Sequence, residues 1–317
     1  MAPETVCVTG AGGFAASWVV KLLLSNNYVV HGTVRQPGDS KYDLLNKLDR
    51  ASENLKLFKA DLLDYNSLRL AVSGCSGVFH VASPVPFPTT ITDPEAQLLE
   101  PAVKGTLNVL KACVEAKVKR VVVVSSIAAV VKNPNWPKDQ VKDESCWSDV
   151  EYVKSSKDWY YLSKTQAEAA ALEFGRSTSG LEVVTVCPSV ILGPLLQSTM
   201  NTSSWLLPSV FKGGFEKARY NYWTLVDARD LAAALLLVYK KSEAGERYIC
   251  TAHAIGVEEV VEKYLKISHP NYNYSPEYEE EEKLSSEKLQ RLGWTYRPLG
   301  ETLIDSIQSY QKIGVLD

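Results

Sequence analysis

Between Thr5 and Ser126 the chain alternates short, almost wholly apolar runs with longer segments of helical period. Thr5–Thr9, Tyr28–Val34, Leu55–Lys59, Gly77–Val81 and Arg120–Val124 read as strands. Apolar runs without a polar alternation are what parallel strands covered on both faces require. The segments between them, notably Ala15–Ser25 and Glu95–Ala116, carry helical spacing, and this alternation predicts an α/β fold with a doubly wound parallel sheet. A further strand, Leu181–Cys187, ends at Pro188, and beyond it the regularity weakens into a stretch rich in Ser, Thr, Trp, Gly and Tyr. Residues 1–188 are therefore expected to form the main domain and residues 189–317 mainly a smaller C-terminal lobe. Tyr220–Asp227 and the helical runs Val257–Lys266 and Ser285–Leu292 belong to that lobe, with some segments returning to the main sheet.

The length, 317 residues, suits one large domain with a smaller one attached. Hydrophobic residues at 45% and charged residues at 22% exclude a disordered chain. With 37 acids against 34 bases, a net charge of -3, there is no basic footprint for nucleic acid. The longest apolar block, Leu231–Tyr239, falls far short of the roughly 20 residues of a membrane helix. Met1–Glu4 runs straight into Val6–Val8 with no room for a signal peptide, so a cytoplasmic protein is expected. Six scattered cysteines without a C-x-x-C pair read as buried thiols, and four scattered histidines lack metal-ligand spacing. No metal site is expected. The acidic run Glu277–Glu282 reads as a solvated loop or helix start.

The first strand runs directly into Thr9-Gly10-Ala11-Gly12-Gly13-Phe14-Ala15-Ala16, with Gly10, Gly13 and Ala16 spaced three apart where strand gives way to helix. Gly10 allows the tight turn, Gly13 lets the backbone approach a pyrophosphate, and Ala16 permits close helix–strand packing above a free helix N-terminus. Such a loop after the first strand of a repeating α/β pattern makes the sheet Rossmann-type and dinucleotide-binding. Thr9, Gly10, Gly12, Gly13, Phe14 and Ala15 are its candidate cofactor residues. The second strand ends Gly32-Thr33-Val34-Arg35, without the carboxylate that would take a ribose 2′-hydroxyl. Arg35, with Lys41 after it, suits a 2′-phosphate, which favours NADP(H) over NAD(H); a plain surface arginine is the competing reading. Further on, Tyr160 and Lys164 stand four residues apart at the start of a helical stretch and share a face. A neighbouring ammonium and an oxidised nicotinamide would favour the phenolate, making proton transfer practical.

These features, with Ser126 at the end of the fifth strand, resemble the extended short-chain dehydrogenase/reductases. His80-Val81-Ala82-Ser83-Pro84, Ser125-Ser126-Ile127 and Gly193-Pro194-Leu195-Leu196-Gln197 narrow the likeness to plant cinnamoyl-CoA reductase and dihydroflavonol reductase relatives, over nearly the whole chain. The resemblance implies that Asp61 and Leu62 lie by the adenine, Val81, Ala82 and Ser83 by the ribose and nicotinamide, and Pro188 and Val190 by the carboxamide. It also adds Ser203 to the cofactor set. By the same likeness Ser126 bonds the substrate carbonyl oxygen, Tyr160 donates the proton, and Lys164 binds the nicotinamide ribose. The implied activity is NADPH-dependent reduction of an aldehyde or ketone in plant specialised metabolism, by a monomer or weak homodimer.

The chain departs from true cinnamoyl-CoA reductases, whose Asn-Trp-Tyr-Cys-Tyr-Gly-Lys stands here as Asp158-Trp159-Tyr160-Tyr161-Leu162-Ser163-Lys164, different at four of seven positions. The histidine those enzymes carry after Asn-x-Ser is also missing behind Asn201-Thr202-Ser203. A free carbonyl is therefore expected before a CoA thioester, which is the nearest rival substrate. Ile127, Trp205, Phe211, Tyr220, Tyr222 and Trp223 are the candidate substrate wall, each equally readable as core. Two other rivals are a nucleotide-sugar epimerase, against which Arg35 speaks, and a non-catalytic NADP(H)-binding sensor, against which the intact Tyr160–Lys164 pair speaks.

Overall fold

The computed structural model describes residues 3–85, 91–211, 222–241, 246–260, 263 and 283–316. Its strands are β1 (Thr5–Thr9), β2 (Val29–Val34), β3 (Leu55–Lys59), β4 (Gly77–His80), β5 (Arg120–Val124), β6 (Glu182–Pro188), β7 (Val190–Leu192), β8 (Tyr222–Asp227), β9 (Arg247–Cys250) and β10 (His253–Gly256). Seven form one sheet in the order β3-β2-β1-β4-β5-β6-β9, every neighbouring pair parallel. The order reverses between β1 and β4, which opens a crevice at their carboxyl ends, where dinucleotides bind in sheets of this kind.

The near-continuous apolar strands follow from burial on both faces. In β1 and β5 successive residues enter opposite cores. Val6, Val8, Val122 and Val124 pack under the helices Phe14–Ser25 and Ala228–Lys240. Cys7, Val121 and Val123 face the helices Tyr65–Val72, Glu100–Glu115 and Trp159–Ser177. All six cysteines are buried free thiols.

Three elements beyond residue 189 belong with the large sheet: β9 pairs with β6, the helix Ala228–Lys240 packs beside Phe14–Ser25, and the helix Glu287–Arg291, expected in the smaller lobe, instead puts Leu289 into the same large core with Trp294 and bonds the Arg247 carbonyl through Lys288. The rest of that region forms the smaller lobe. There β7, β8 and β10 make a three-stranded sheet over a core of Leu192, Leu207, Trp223, Leu225 and Ile255, closed by Leu303 and Tyr310 of the helix Leu299–Lys312. Of the expected run Val257–Lys266, Val257–Val260 is helical and most of the remainder lies outside the described residues, as does Glu277–Glu282. The expected helix Ser285–Leu292 is the shorter Glu287–Arg291. Among the described residues no helix is long and apolar enough to cross a membrane.

Candidate active site

The glycine loop leaves β1 through Gly10, whose φ of +66° is left-handed. A Cβ there would sit 3.0 Å from that of Ala82, so only glycine fits the loop against the segment after β4. Gly13 donates to the Gly10 carbonyl at 2.8 Å and starts the helix with no side-chain cap, leaving its first-turn N–H groups for an anion. Phe14 and Ala15 open that helix, and the Tyr42 ring lies on Gly12 where a Cβ would be.

Thr9 binds the same segment from below. Its Oγ1 accepts the N–H of Val81 at 3.1 Å and of Ala82 at 3.0 Å. Its own proton is then left for His80 Nδ1, 2.9 Å away. That assigns the Nε2–H tautomer, which donates to Thr106 Oγ1 at 3.0 Å. The ring is neutral: burial, with Lys164 nearby, pushes its pKa down to about 3.

Arg35 at the end of β2 is exposed. Lys41 is not free beside it, since its ammonium pairs with Asp39 at 2.9 Å and lies 4.9 Å from the centre of the Tyr42 ring. An exposed pair of this kind is worth about 0–1 kcal/mol, so an incoming phosphate can recruit the lysine. At the end of β3, Asp61 is exposed and one of its oxygens caps the Leu63 N–H at 2.9 Å, while the Leu62 carbonyl accepts from Asn108.

Ser126 leaves β5 as the cap of the turn Ile127–Ala129, accepting the Ala128 N–H at 3.1 Å. Burial raises the Tyr160 pKa, and the neighbouring Ser126 hydroxyl, which favours the phenolate, opposes it. The sequence expectation weighed the lysine ammonium and the oxidised nicotinamide; burial acts in the other direction and favours the protonated phenol, the state a proton donor needs. Lys164, one turn on and 5% exposed, reaches the Val124 carbonyl at 3.4 Å. Burial pulls its pKa down to about 8, against the opposing influence of Cys187 and Glu168.

Pro188 closes β6, and the chain passes through Ser189 into Val190 of β7, switching from the large sheet to the small one. Ser203 begins a turn whose neighbour Thr202 bonds the Val85 carbonyl at 2.9 Å, so this segment meets the exit of β4. Trp205 and Tyr222 are exposed, and Ile127 is partly buried against the cluster of Val130, Val131, Cys146, Cys187 and Ile249. Trp223 corrects the expected wall: at 2% exposure it is part of the small lobe's core, because its face of the three-stranded sheet, shared with its cross-strand partner Ile255, is covered by Leu207, Leu303 and Tyr310. Tyr220 and the Phe211 side chain lie outside the described residues.

Sequence reasoning passed over two groups, the Thr9–His80–Thr106 chain and a buried Glu168–Arg247 ion pair at 2.9 Å. Glu168 was open to discovery through its spacing, four residues after Lys164 on the same helix.

Residues 6–250 match the NAD dependent epimerase/dehydratase family. Cinnamoyl-CoA reductase 2 of Medicago truncatula is 44% identical over 99% of this chain and 93% of its own length. Among solved structures, vestitone reductase from alfalfa superposes with a TM-score of 0.85 at 34% identity, covering 98% of this chain and 99% of that one. Yeast methylglyoxal/isovaleraldehyde reductase Gre2, solved with NADPH, superposes at 0.84 with 27% identity, covering 99% and 100%.

Proposed function

This chain belongs to the NAD dependent epimerase/dehydratase family, in its cinnamoyl-CoA reductase-like branch of extended short-chain dehydrogenase/reductases, and from that premise we propose how it works as an NADPH-dependent carbonyl reductase. The cofactor fits the residues present. The contact at Gly10 admits no side chain, the helix behind Gly13 starts uncapped, and Arg35 is exposed at the adenosine end. In this reading Thr9, Gly10, Gly12, Gly13, Phe14 and Ala15 hold the pyrophosphate, Arg35 and Lys41 the 2′-phosphate, and Asp61 and Leu62 the adenine. Val81, Ala82, Ser83, Lys164, Pro188, Val190 and Ser203 hold the nicotinamide half. The chemistry NADPH supplies when bound is a hydride for the carbonyl carbon.

The protein's share is the proton and the polarisation. Tyr160 donates its phenolic proton to the carbonyl oxygen, Ser126 donates a hydrogen bond to the same oxygen, and the Lys164 cation stabilises the tyrosinate left behind. The placing of Ser126 beside Tyr160, with Lys164 buried one turn further along the same helix, carries this reading.

The substrate is a free aldehyde or ketone of phenylpropanoid or flavonoid character in plant specialised metabolism, held by Ile127, Trp205 and Tyr222. Tyr161 stands where thioester reductases carry cysteine, and it packs against the core of Val130, Val131, Cys146, Cys187 and Ile249, as Ile127 does. The position two beyond Trp205 is Leu207, 1% exposed in the small-lobe core, and the stretch Asn201–Leu207 contains no histidine. The 44% identity to a cinnamoyl-CoA reductase favours the second reading, a CoA thioester. NADPH oxidation with a hydroxycinnamoyl-CoA and the matching free aldehyde, beside a panel of ketones, decides between them. Release of free CoA overturns the first reading; turnover of the aldehyde or a ketone alone supports it. A cytoplasmic monomer or weak homodimer completes the proposal.

A further inference from the structure

Beside Lys164, one helical turn further along, lies a buried polar cluster that the scheme above leaves unused. Glu168 follows Lys164 by one turn and is 1% exposed. Its Oε1 accepts from Thr185 Oγ1 at 2.6 Å, Cys187 Sγ at 3.1 Å and Arg247 Nε at 2.9 Å. Its Oε2 accepts from Ser125 Oγ at 2.8 Å and Arg247 Nη2 at 3.3 Å. Arg247 directs its other N–H groups to the carbonyls of Glu144, Cys146 and Ala129, with its guanidinium 3.7 Å from the centre of the Trp147 ring. The cluster thus ties the helix of Tyr160 and Lys164 to the strand end of Ser126, to β6 and to β9.

A buried ion pair pays a desolvation penalty that apolar residues of the same volume avoid, so stability alone does not account for it. Its position does. We infer that Glu168 is a positioning residue for the reduction: its carboxylate, paired with Arg247 and lining one small cavity with Lys164, holds Lys164 as a cation and, through Ser125, anchors the strand end that carries Ser126. This rests on the reading of Tyr160 and Lys164 as the reacting pair.

The groups facing Lys164 leave Glu168 as its counter-charge. His80 from β4 is neutral. Cys187 from β6 stays a thiol, its pKa raised well above the usual range by burial and by Glu168 itself. Tyr160, on the same helix, has its pKa raised by burial. On the neighbouring helical segments, Glu95, Glu100, Lys104, Glu151 and Lys154 are exposed to solvent. A cavity of about 10 Å³ between Lys164, Glu168, Ser125, Thr106 and His80 has room for one water, so the ammonium's remaining donors can be met without a further anion.

The test measures the Lys164 titration in the apoprotein, with carbon-13 at the lysine ε-carbon and the resonance assigned by its loss in Lys164→Arg. It is run beside the pH dependence of kcat/KM, for wild type, Glu168→Gln and the charge-balanced Glu168→Gln/Arg247→Gln. In Glu168→Gln both the Lys164 midpoint and the alkaline limb of kcat/KM move to lower pH by about one unit or more. In the double variant the movement has the same sign and is smaller, while thermal stability recovers. A midpoint that stays at the wild-type value in either folded variant overturns the inference. Collapse of both variants also overturns it, because the pair is then structural. Tyr160→Phe separates the two readings: if it keeps its turnover, the assignment of the reacting pair fails, and if it is inactive while Lys164 titrates unchanged in the Glu168 variants, only the inference about Glu168 fails.

Discussion

Thr9 offers a sharp test of how the cofactor crevice is built. Replacing it by valine keeps the shape and removes one hydroxyl that serves three partners at once: the N–H groups of Val81 and Ala82 and the Nδ1 of His80. A buried donor left without an acceptor costs about 1–3 kcal/mol. Both N–H groups belong to half-buried residues, which places each at the low end, and the loss of the only proton offered to His80 Nδ1 adds about as much again. The sum is roughly 3 kcal/mol, which at about 2.1 cal/mol/K of unfolding entropy per residue lowers the Tm of a chain of 317 residues by roughly 4–5 °C. Because Val81–Ser83 lines the proposed nicotinamide site, NADPH affinity falls about tenfold as well, equivalent to ~1.4 kcal/mol. Thr9→Ser keeps the hydroxyl and loses one methyl, worth about 1 kcal/mol, so it should melt within about 2 °C of wild type and bind NADPH normally. Calorimetry and a fluorescence titration with NADPH read both quantities. If Thr9→Val melts with wild type, or if Thr9→Ser is as damaged as Thr9→Val, the hydroxyl is not what holds the segment and the tautomer assigned to His80 loses its basis.

Other outcomes follow from the same geometry. Tyr160→Phe lowers kcat by about 10²–10⁴-fold with NADPH affinity unchanged, measured by steady-state kinetics beside a binding titration; equal losses in both would point to misfolding. Arg35→Ser removes charge-assisted bonds to a 2′-phosphate and lowers the ratio of kcat/KM for NADPH over NADH by about 10- to 100-fold, whereas Lys41→Ser costs less because that lysine first has to leave Asp39. For Lys164 the folded pKa of about 8 lies below the ordinary 10.5, so the unfolded chain binds more protons between those values and this group's contribution to stability rises with pH across that window. Below pH 8 the buried ammonium costs its full penalty, up to ~3 kcal/mol. Lys164→Met is thus inactive yet melts no lower than wild type at pH 7, and its advantage closes above about pH 10.5; an advantage that widens with pH would contradict the sign.

What could be read from the sequence, and what could not, divides along the range of the interactions. Gly10, Gly13 and the Tyr160–Lys164 spacing are local: a strand-to-helix turn and one helical period define them, and both periods are visible in the residues themselves. The large sheet was legible because strands buried on both faces have to be apolar throughout. That same uniformity hides register, since a run such as Arg120–Val124 has no polar face to say which residue opposes which. The Thr9 bonds to Val81 and Ala82 span more than seventy positions and the Glu168–Arg247 pair spans 79, so each depends on registers that the apolar runs do not encode. Strands β7 and β10, of three and four residues, are too short to carry a period, and without them Trp223 could not be told from a wall residue. Lys41 is the instructive exception. Its pairing with Asp39, two residues away, is as local as the glycine loop, and it went unread because a lysine after Arg35 already had a cofactor phosphate to explain it. Locality made that ion pair readable, and a competing partner for the same charge concealed it. At Glu168 the order is reversed: the helical spacing from Lys164 was in view, and only the parallel register of β6 and β9 brings Thr185, Cys187 and Arg247 to the carboxylate and makes its charge tenable in the core.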